Sequence, residues 1–574
     1  MHMVAARANS MTSNTGGRSI GRALKRYGVK YAFNGISVDM SPLLDGLLRE
    51  GIELINVRHE ASAGYMAHGW SRATRGLGVC VGTGAVGPLN MATPIAASYY
   101  ECSPVLAICG HSPYRQLDKG ALHEFDAVRM CESFTKWARL CTDGGRFAEY
   151  VHIGVRNAIS GRPGPVLLEF PSDLLAKSFA EQTEEMINFS NGISMSSADQ
   201  SSIKRLSEMV AAAQRPVLLL GNGTYWSGAS DAIQQLVEFA RIPVVARGGQ
   251  AQGCLPEDHP LCLGSLVLGR PNAATLTLQK ADLVVAVGIR FEAMASIPVL
   301  APDTKVVQID ILPSELGRNI KVDLGICSDA NAAVTQLLHE LKNSDLKKNT
   351  EWLKVPLEEK RKLEDSLNQE SNSQSITSAI LIKELRDFLP RDSWVILDGA
   401  DVTAVAKMHI KAYLPGHILS SNGNLGNIGA GVPFSMGVKL ANPDQLVLLL
   451  TGDGSFLFNS RELDTARRHG INILCVVGND RAWGAEYHPM AKTFGVDSAE
   501  KMGGLLSDET RYDKYAEALG CYGELVTKPS EILPALIRAR DSGKPSVLDV
   551  RLERKDQWPQ RSQRFQDSIK LATV

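Results

Sequence analysis

Short apolar runs recur along the chain, separated by stretches long enough to hold a helix. In the first third they are Tyr31–Asn34, Leu54–Val57, Val79–Val81, Val105–Cys109 and Val166–Glu169. A second set is Val217–Leu220, Val244–Ala246, Leu283–Val287 and Val306–Ile309. A third is Val395–Leu397, Leu446–Leu450, Ile473–Val477 and Val547–Val550. Runs this short and this uniformly apolar suit strands covered on both faces, and strands alternating with helices predict parallel α/β layers. The expected fold is therefore α/β, with three doubly wound parallel-sheet domains over residues 18–185, 195–342 and 376–550. The stretch 343–375 is polar and charged (KKN, EEKRK, NQESNSQS) and reads as a linker, helical in part. Residues 1–17 read as a disordered tail, with an organelle transit peptide as the alternative, since the stretch has Arg and Ser but no acid. Residues 551–574 read as a basic tail.

Composition narrows the partners. The formal net charge of the 574-residue chain is −1, so nothing draws it in bulk to nucleic acid or membrane. No apolar run approaches the roughly 20 residues of a membrane span. The ten cysteines form no CxxC pair. Reduced, mostly buried thiols in a cytoplasmic protein are expected.

Candidate chemistry concentrates between Thr451 and Trp483. The run Leu446–Leu450 leads into Gly452-Asp453-Gly454-Ser455. A helix is expected over Arg461–His469, with Glu462 early and basic residues late. The run Ile473–Val477 then leads into Gly478-Asn479-Asp480. Two carboxylates thus end two parallel strands, where open α/β sheets bind ligands. The glycines flanking Asp453 let a ligand approach the backbone. Two hard oxygen donors suit Mg²⁺, which completes its shell with phosphate oxygens and water. A metal-bridged diphosphate is the implied ligand; a turn at GDG and a helix cap at Asp480 are the alternative.

This strand–GDG–helix–strand–ND arrangement resembles the diphosphate motif of thiamine diphosphate enzymes, and three α/β layers resemble their pyrimidine-binding, central and diphosphate-binding domains. The resemblance implies that Asp453, Asp480 and the Ala482 carbonyl hold Mg²⁺. Asp480 stands where the family usually has Asn, adding a negative charge. Ser455 and the Asp398–Asp401 loop match contacts on the diphosphate side. Gly452, Gly454, Asp401, Trp483 and Gly484 are counted with them as cofactor-binding.

Arg58-His59-Glu60-Ala61 opens a segment, RHEASAGYMAHGWSRATRGLGVCV, that resembles the pyrimidine domain of the acetolactate synthase, benzaldehyde lyase and 2-hydroxyacyl-CoA lyase branch. Without that match, Glu60 is an acid at a helix N-terminus, favoured by the dipole. With it, Glu60 is the activator, a buried carboxyl of raised pKa that donates to the cofactor's pyrimidine. Gly423–Gly429 resembles the loop gripping the aminopyrimidine, with the Gly426 carbonyl as acceptor and Ile428 as the apolar wedge.

Gly82-Thr-Gly84-Ala-Val-Gly87 spells GxGxxG after a strand, the dinucleotide fingerprint. Its expected acid, Glu101, precedes the strand Val105–Cys109 rather than closing it, so the motif is set aside. On the substrate side, Leu122-His123-Glu124 stands where relatives mostly carry Gln, making His123 a candidate proton shuttle. Asp39 falls where benzaldehyde lyase carries an active-site His. Trp483–His488 resembles the substrate-side helix of such lyases, giving Glu486 as a catalytic candidate lining the pocket and His488, with Asp39, as a candidate substrate contact; polar helix residues are the alternative reading.

In the middle domain GNGTYW lacks a third glycine, so FAD is not expected, while ADP or CoA stays open. The basic tail (Arg551, Arg554, Lys555, Arg561, Arg564) is a candidate lid over a phosphate-bearing acyl substrate. The expected activity is lysis or ligation of a 2-hydroxyacyl compound. The alternatives are acetolactate synthase-like or 2-oxo-acid decarboxylase chemistry, a catalytically dead regulatory subunit, and a nicotinamide oxidoreductase. The resemblance implies a homodimer at minimum, commonly a tetramer, with Glu60 and Asp453 of one site on different subunits.

Overall fold

The computed structural model describes residues 14–179, 195–266, 272–292, 300–346, 349–369, 374–421 and 423–554. They form three six-stranded, all-parallel sheets flanked by helices, as the apolar pattern predicts. The first holds β1 (Tyr31–Asn34), β2 (Glu53–Asn56), β3 (Gly78–Gly82), β4 (Val105–His111), β5 (Trp137–Leu140) and β6 (Val166–Pro171). The second holds β7 (Pro216–Leu220), β8 (Val244–Ala246), β9 (Cys262–Ser265), β10 (Leu283–Val287), β11 (Lys305–Asp310) and β12 (Leu324–Cys327). The third holds β13 (Trp394–Asp398), β14 (Ile418–Ser420), β15 (Val447–Gly452), β16 (Leu474–Asn479), β17 (Tyr522–Val526) and β18 (Ser546–Arg551).

The first sheet runs β2-β1-β3-β4-β6-β5 and the third β14-β13-β15-β16-β18-β17, the same order. The middle sheet runs β12-β11-β10-β7-β8-β9, the order of dinucleotide-binding folds. Five strands carry no apolar run that announces them: β5, β9, β12, β14 and β17. All five are sheet edges. An edge strand is covered incompletely, so its side chains need not be uniformly apolar. β12 alternates buried and exposed positions, whereas every residue of the inner strands β4 and β10 is buried.

The chain divides into two compact units. One comprises the first sheet with residues 421–443 and 458–472; the other holds the second and third sheets. In the first unit the Gly431–Ala441 helix packs along the Glu60–Thr74 helix, and glycine permits the close approach. A Cβ on Gly69 would lie 2.2 Å from the Phe434 carbonyl oxygen. Within the stretch expected as an N-terminal tail, a helix already begins at Gly16, capped by the Thr15 hydroxyl. Gly16 and Gly17 are not chain softeners: a Cβ on either would strike the carbonyl of Leu174 or Pro42. In the other unit the charged 343–375 stretch contains the helix Lys354–Gln369. Lys360 fastens it to the middle sheet, donating to the carbonyls of Glu257 (3.0 Å) and Cys262 (2.8 Å).

Candidate functional site

The first unit gathers its polar side chains beyond the carboxyl ends of β1, β3 and β4. There the chain leaves β1 and β3, neighbouring strands whose connections run to opposite sides, where open α/β sheets accept ligands. Glu60 is the first residue of the Glu60–Thr74 helix, and its N-cap, His59, accepts from the Ala61 N–H. Asn90 Nδ2 donates to Glu60 Oε2 at 2.9 Å. Gly35, just past β1, leaves room for this carboxyl; a Cβ there would lie 3.1 Å from Glu60 Cγ.

At the same rim His123 meets Asp39, Nδ1 to Oδ2 at 3.3 Å. Asp39 also accepts from the hydroxyls of Thr83 (3.0 Å) and Ser37. Burial pushes its carboxyl up, but the two hydroxyls and His123 outweigh that and hold it below the usual carboxylate range. His123 sits in the left-handed region (φ 67°), a conformation held by its surroundings. Gly84 backs directly onto it: a Cβ would lie 2.8 Å from His123 Cβ. Gly82 and Gly87 approach each other as closely, at 3.1 Å from a built Cβ. The GxGxxG glycines therefore serve internal packing. Glu101 is buried, pairs with Arg72 at 3.7 Å and accepts the Asn424 N–H at 3.1 Å. It thereby holds the start of the loop carrying Gly426 and Ile428. Around Gly426 (φ 74°) a built Cβ would meet nothing within 4 Å.

The second unit gathers carboxylates beyond β13, β15 and β16. Asp453 accepts from the N–H groups of Gly454 and Arg481, each at 2.8 Å. Asp480 accepts from Ala482 N–H at 3.2 Å. Among the described residues, one group of His, Cys, Asp or Glu is compact enough to hold a metal ion. It is Asp401, Asp480 and His488, whose ligand atoms lie within 4.8 Å of one another. His488 Nε2 is 4.0 Å from Asp480 and makes no hydrogen bond. Gly484 lies between two of the acids, its built Cβ 2.6 Å from Asp401 and 2.7 Å from Asp480. Ser455 is buried below Gly399. The two glycines flanking Asp453 differ: Gly452 faces open space, whereas Gly454 backs onto the Trp483 ring at 2.6 Å from a built Cβ. Glu486 is exposed on the first turn of the Gly484–Phe494 helix. Arg554 reaches the cluster from the C-terminal side, donating to the Asp480 carbonyl at 3.3 Å. Lys555, Arg561 and Arg564 lie outside the described residues.

Three stretches match the domains of one family: the N-terminal TPP binding domain of thiamine pyrophosphate enzymes over residues 14–130, the central domain over 203–337 and the C-terminal TPP binding domain over 398–550. The chain is 30% identical over 555 residues to a probable acetolactate synthase large subunit of Methanocaldococcus jannaschii, covering 95% of this chain and 93% of that one. It is 31% identical over 559 residues to the acetolactate synthase large subunit IlvG of Mycobacterium tuberculosis, covering 95% and 97%. It is 26% identical over 577 residues to human 2-hydroxyacyl-CoA lyase 1, covering 96% of each. The chain belongs to the thiamine pyrophosphate enzymes. It is an enzyme of thiamine diphosphate-dependent C–C bond chemistry.

The residues present fit that cofactor and a hard divalent cation. Burial, and then Asp480, pushes the Asp453 carboxyl above its usual range; burial, and then Asp401, does the same to Asp480. Carboxylates crowded out of water in this way want a counter-cation, and all-oxygen donors suit Mg²⁺. Gly452 and Gly426 each leave the space of a side chain open.

Some functional geometry of this thiamine pyrophosphate enzyme has no simple sequence signal. The sequence places Asp401 with the diphosphate and His488 with the substrate; the fold sets both beside Asp480. Asn90 follows the glycine loop without marking itself as a partner of Glu60. Glu462 reads as a helix acid favoured by the dipole, yet it is completely buried.

Proposed function

We propose that the chain uses thiamine diphosphate with Mg²⁺ to cleave or form a C–C bond beside a carbonyl, most closely as a lyase or carboligase of a 2-hydroxyacyl compound. The observation that carries the proposal is the convergence of Asp401, Asp453, Asp480 and His488 beyond the third sheet, matched by Glu60 and its Asn90 partner beyond the first. When bound, the cofactor supplies a thiazolium electron sink for the bond beside the carbonyl. Asp453, Asp480 and the Ala482 carbonyl would hold the Mg²⁺. Gly452, Gly454, Ser455, Asp401, Trp483 and Gly484 would line the diphosphate side, and Gly426 and Ile428 the pyrimidine side. Glu60 would face the pyrimidine of the cofactor, with Asn90 donating to one of its carboxyl oxygens.

The Asp39–His123 pair supplies the substrate's own proton transfers. A carboxylate beside an imidazole orients it and makes it a better base. A base of this kind suits a substrate whose hydroxyl loses its proton as the C–C bond breaks. Glu486 and His488 are assigned to the pocket wall.

We assign a homodimer as the minimal unit, each site taking Glu60 from one copy and the acidic cluster from a second; a tetramer is two such pairs. An apolar rim supports a covering copy, since Ile36, Val38 and Leu122 are 80–89% exposed around the Asp39–His123 pair. A cytoplasmic setting accords with ten free cysteines, nine of them buried. Among the described residues no helix is long and apolar enough to cross a membrane.

The identities to acetolactate synthases support a second reading, condensation of 2-oxo acids. One assay separates the two. With Mg²⁺ and thiamine diphosphate added, aldehyde release from a 2-hydroxyacyl-CoA is expected to exceed pyruvate consumption. Pyruvate consumption alone would install the second reading, and turnover of neither would remove the 2-hydroxyacyl and pyruvate assignments together.

A further inference from the structure

Glu462 is fully buried. Its carboxylate accepts the Arg58 N–H, 3.1 Å from each oxygen, the His59 N–H at 3.2 Å and the Thr465 hydroxyl at 2.6 Å. Arg58 and His59 are the two residues immediately before Glu60, and His59 caps its helix. The same segment is laced to this stretch at further points. His469 Nε2 accepts the Asn56 N–H at 3.3 Å and Arg468 donates to the Asn56 carbonyl at 2.7 Å. Past Glu60, the Ser62 hydroxyl donates to Asn459 Oδ1 at 3.4 Å, while Asn459 Nδ2 donates to the Gly429 carbonyl at 2.7 Å. Residues 459–469 thus grip the chain on both sides of Glu60 and the end of the loop that carries Gly426 and Ile428.

We propose that Glu462 is a positioning residue for Glu60, acting through the backbone of Arg58 and His59; this rests on the assignment of Glu60 as activator made above. A carboxylate can gather two adjacent backbone donors and a hydroxyl at once, because it offers about four acceptor sites and no donor. The arrangement fixes where the Glu60 helix begins, and with it the point from which the Glu60 side chain reaches. Without the carboxylate, the two N–H groups would have to find water instead, and the turn would re-form around it.

The test is the rate at which deuterium exchanges into C2 of bound thiamine diphosphate, followed by NMR after acid quench with Mg²⁺ and cofactor saturating. It needs no knowledge of the substrate. Glu462→Ala is expected to slow exchange by about 100-fold, the scale of a misplacement near 1 Å, with cofactor affinity little changed. Glu462→Gln keeps one acceptor oxygen for the paired N–H groups and is expected to recover to within about tenfold of the parent; it also serves if the alanine variant fails to fold. Exchange at the parent rate in Glu462→Gln and Glu462→Ala, while Glu60→Gln abolishes it, would overturn the positioning role and leave Glu60 in place. Exchange unchanged in Glu60→Gln itself would overturn the activator assignment and the positioning role with it.

Discussion

The first and third sheets share one strand order and differ in what they hold at their carboxyl ends. Beyond the first lie Glu60, a single carboxyl held by Asn90, and the Asp39–His123 pair. Beyond the third lie three acids, Asp401, Asp453 and Asp480, with His488. The contrast continues inside the sheets. Glu169 and Asp549 are each the fourth residue of the equivalent strands β6 and β18, and both are buried. Asp549 is partnered by Asn479 (2.7 Å), the Tyr512 N–H (3.2 Å) and Arg551 (3.6 Å). Glu169 has an oxygen with no hydrogen bond. Topology supplies a rim and a buried acid position twice; the local residues decide whether a charge there is answered. The middle sheet shows the other limit. At its switch point Gly221 and Gly288 close on each other, a built Cβ on Gly221 lying 2.4 Å from the Gly288 oxygen.

The largest expected effect breaks the first rim. Glu60→Gln should leave cofactor affinity within a few-fold while turnover falls about 10²–10⁴-fold, the range of a lost general acid–base group. Turnover at the parent level would remove Glu60 from its role. The third rim should answer in the opposite way. Asp453→Ala should weaken Mg²⁺ and thiamine diphosphate together, by at least the ~10–100-fold that even outer metal-shell partners command. Calorimetry showing intact affinity for both would dissolve the metal assignment.

These two residues stand out as candidates in the sequence because each sits in a motif: Glu60 in RHEAS, Asp453 in GDGS. The inner strands were legible for a simpler reason, being apolar on both faces. What escaped the sequence depends on edges or on contacts remote along the chain. Edge strands such as Leu324–Cys327 alternate in burial and carry no continuous signal. Glu462 contacts Arg58 across 404 positions, and Asn90 contacts Glu60 across 30. No local pattern encodes such a pair. Glycines misled at the N-terminus, where Gly16 and Gly17 resemble a loose tail but allow close helix packing.

A smaller effect separates the two buried acids. Burial raises the Glu169 carboxyl to about 8, with Asp126 adding to the shift. Because the folded state binds this proton more tightly than the unfolded chain does, the associated stability is full below the ordinary glutamate range. It is lost as pH rises to about 8. Glu169→Gln cannot ionise, so it should gain on the parent across that window, by about 4 kcal/mol at pH 8 and far less at pH 4. Burial raises the Asp549 carboxyl too, but Asp549→Asn leaves one acceptor oxygen for the two donors Asn479 Nδ2 and Tyr512 N–H, so it should lose about 1–2 kcal/mol of stability at neutral pH. Denaturant melts at the two pH values check both, and equal behaviour of the two variants would erase the distinction.

The smallest expected effect concerns Asp480, the acid standing where relatives usually have Asn. Two consequences of its charge oppose each other. For the metal alone, a third nearby carboxylate adds attraction, so Asp480→Asn should weaken Mg²⁺ binding by roughly tenfold, about 1.4 kcal/mol. For the diphosphate, the same charge is repulsive, and neutralising it removes that repulsion. At saturating Mg²⁺ the affinity for thiamine diphosphate should therefore move by less than about threefold, under 1 kcal/mol. Asp401→Asn provides the control. Asp401 crowds Asp480 from the β13 side, so its neutralisation should follow the same split if the acids act as one charge cluster. If either substitution weakened metal and cofactor equally, the acids would not be acting as one charge cluster, and the third rim would resemble the first in relying on single residues.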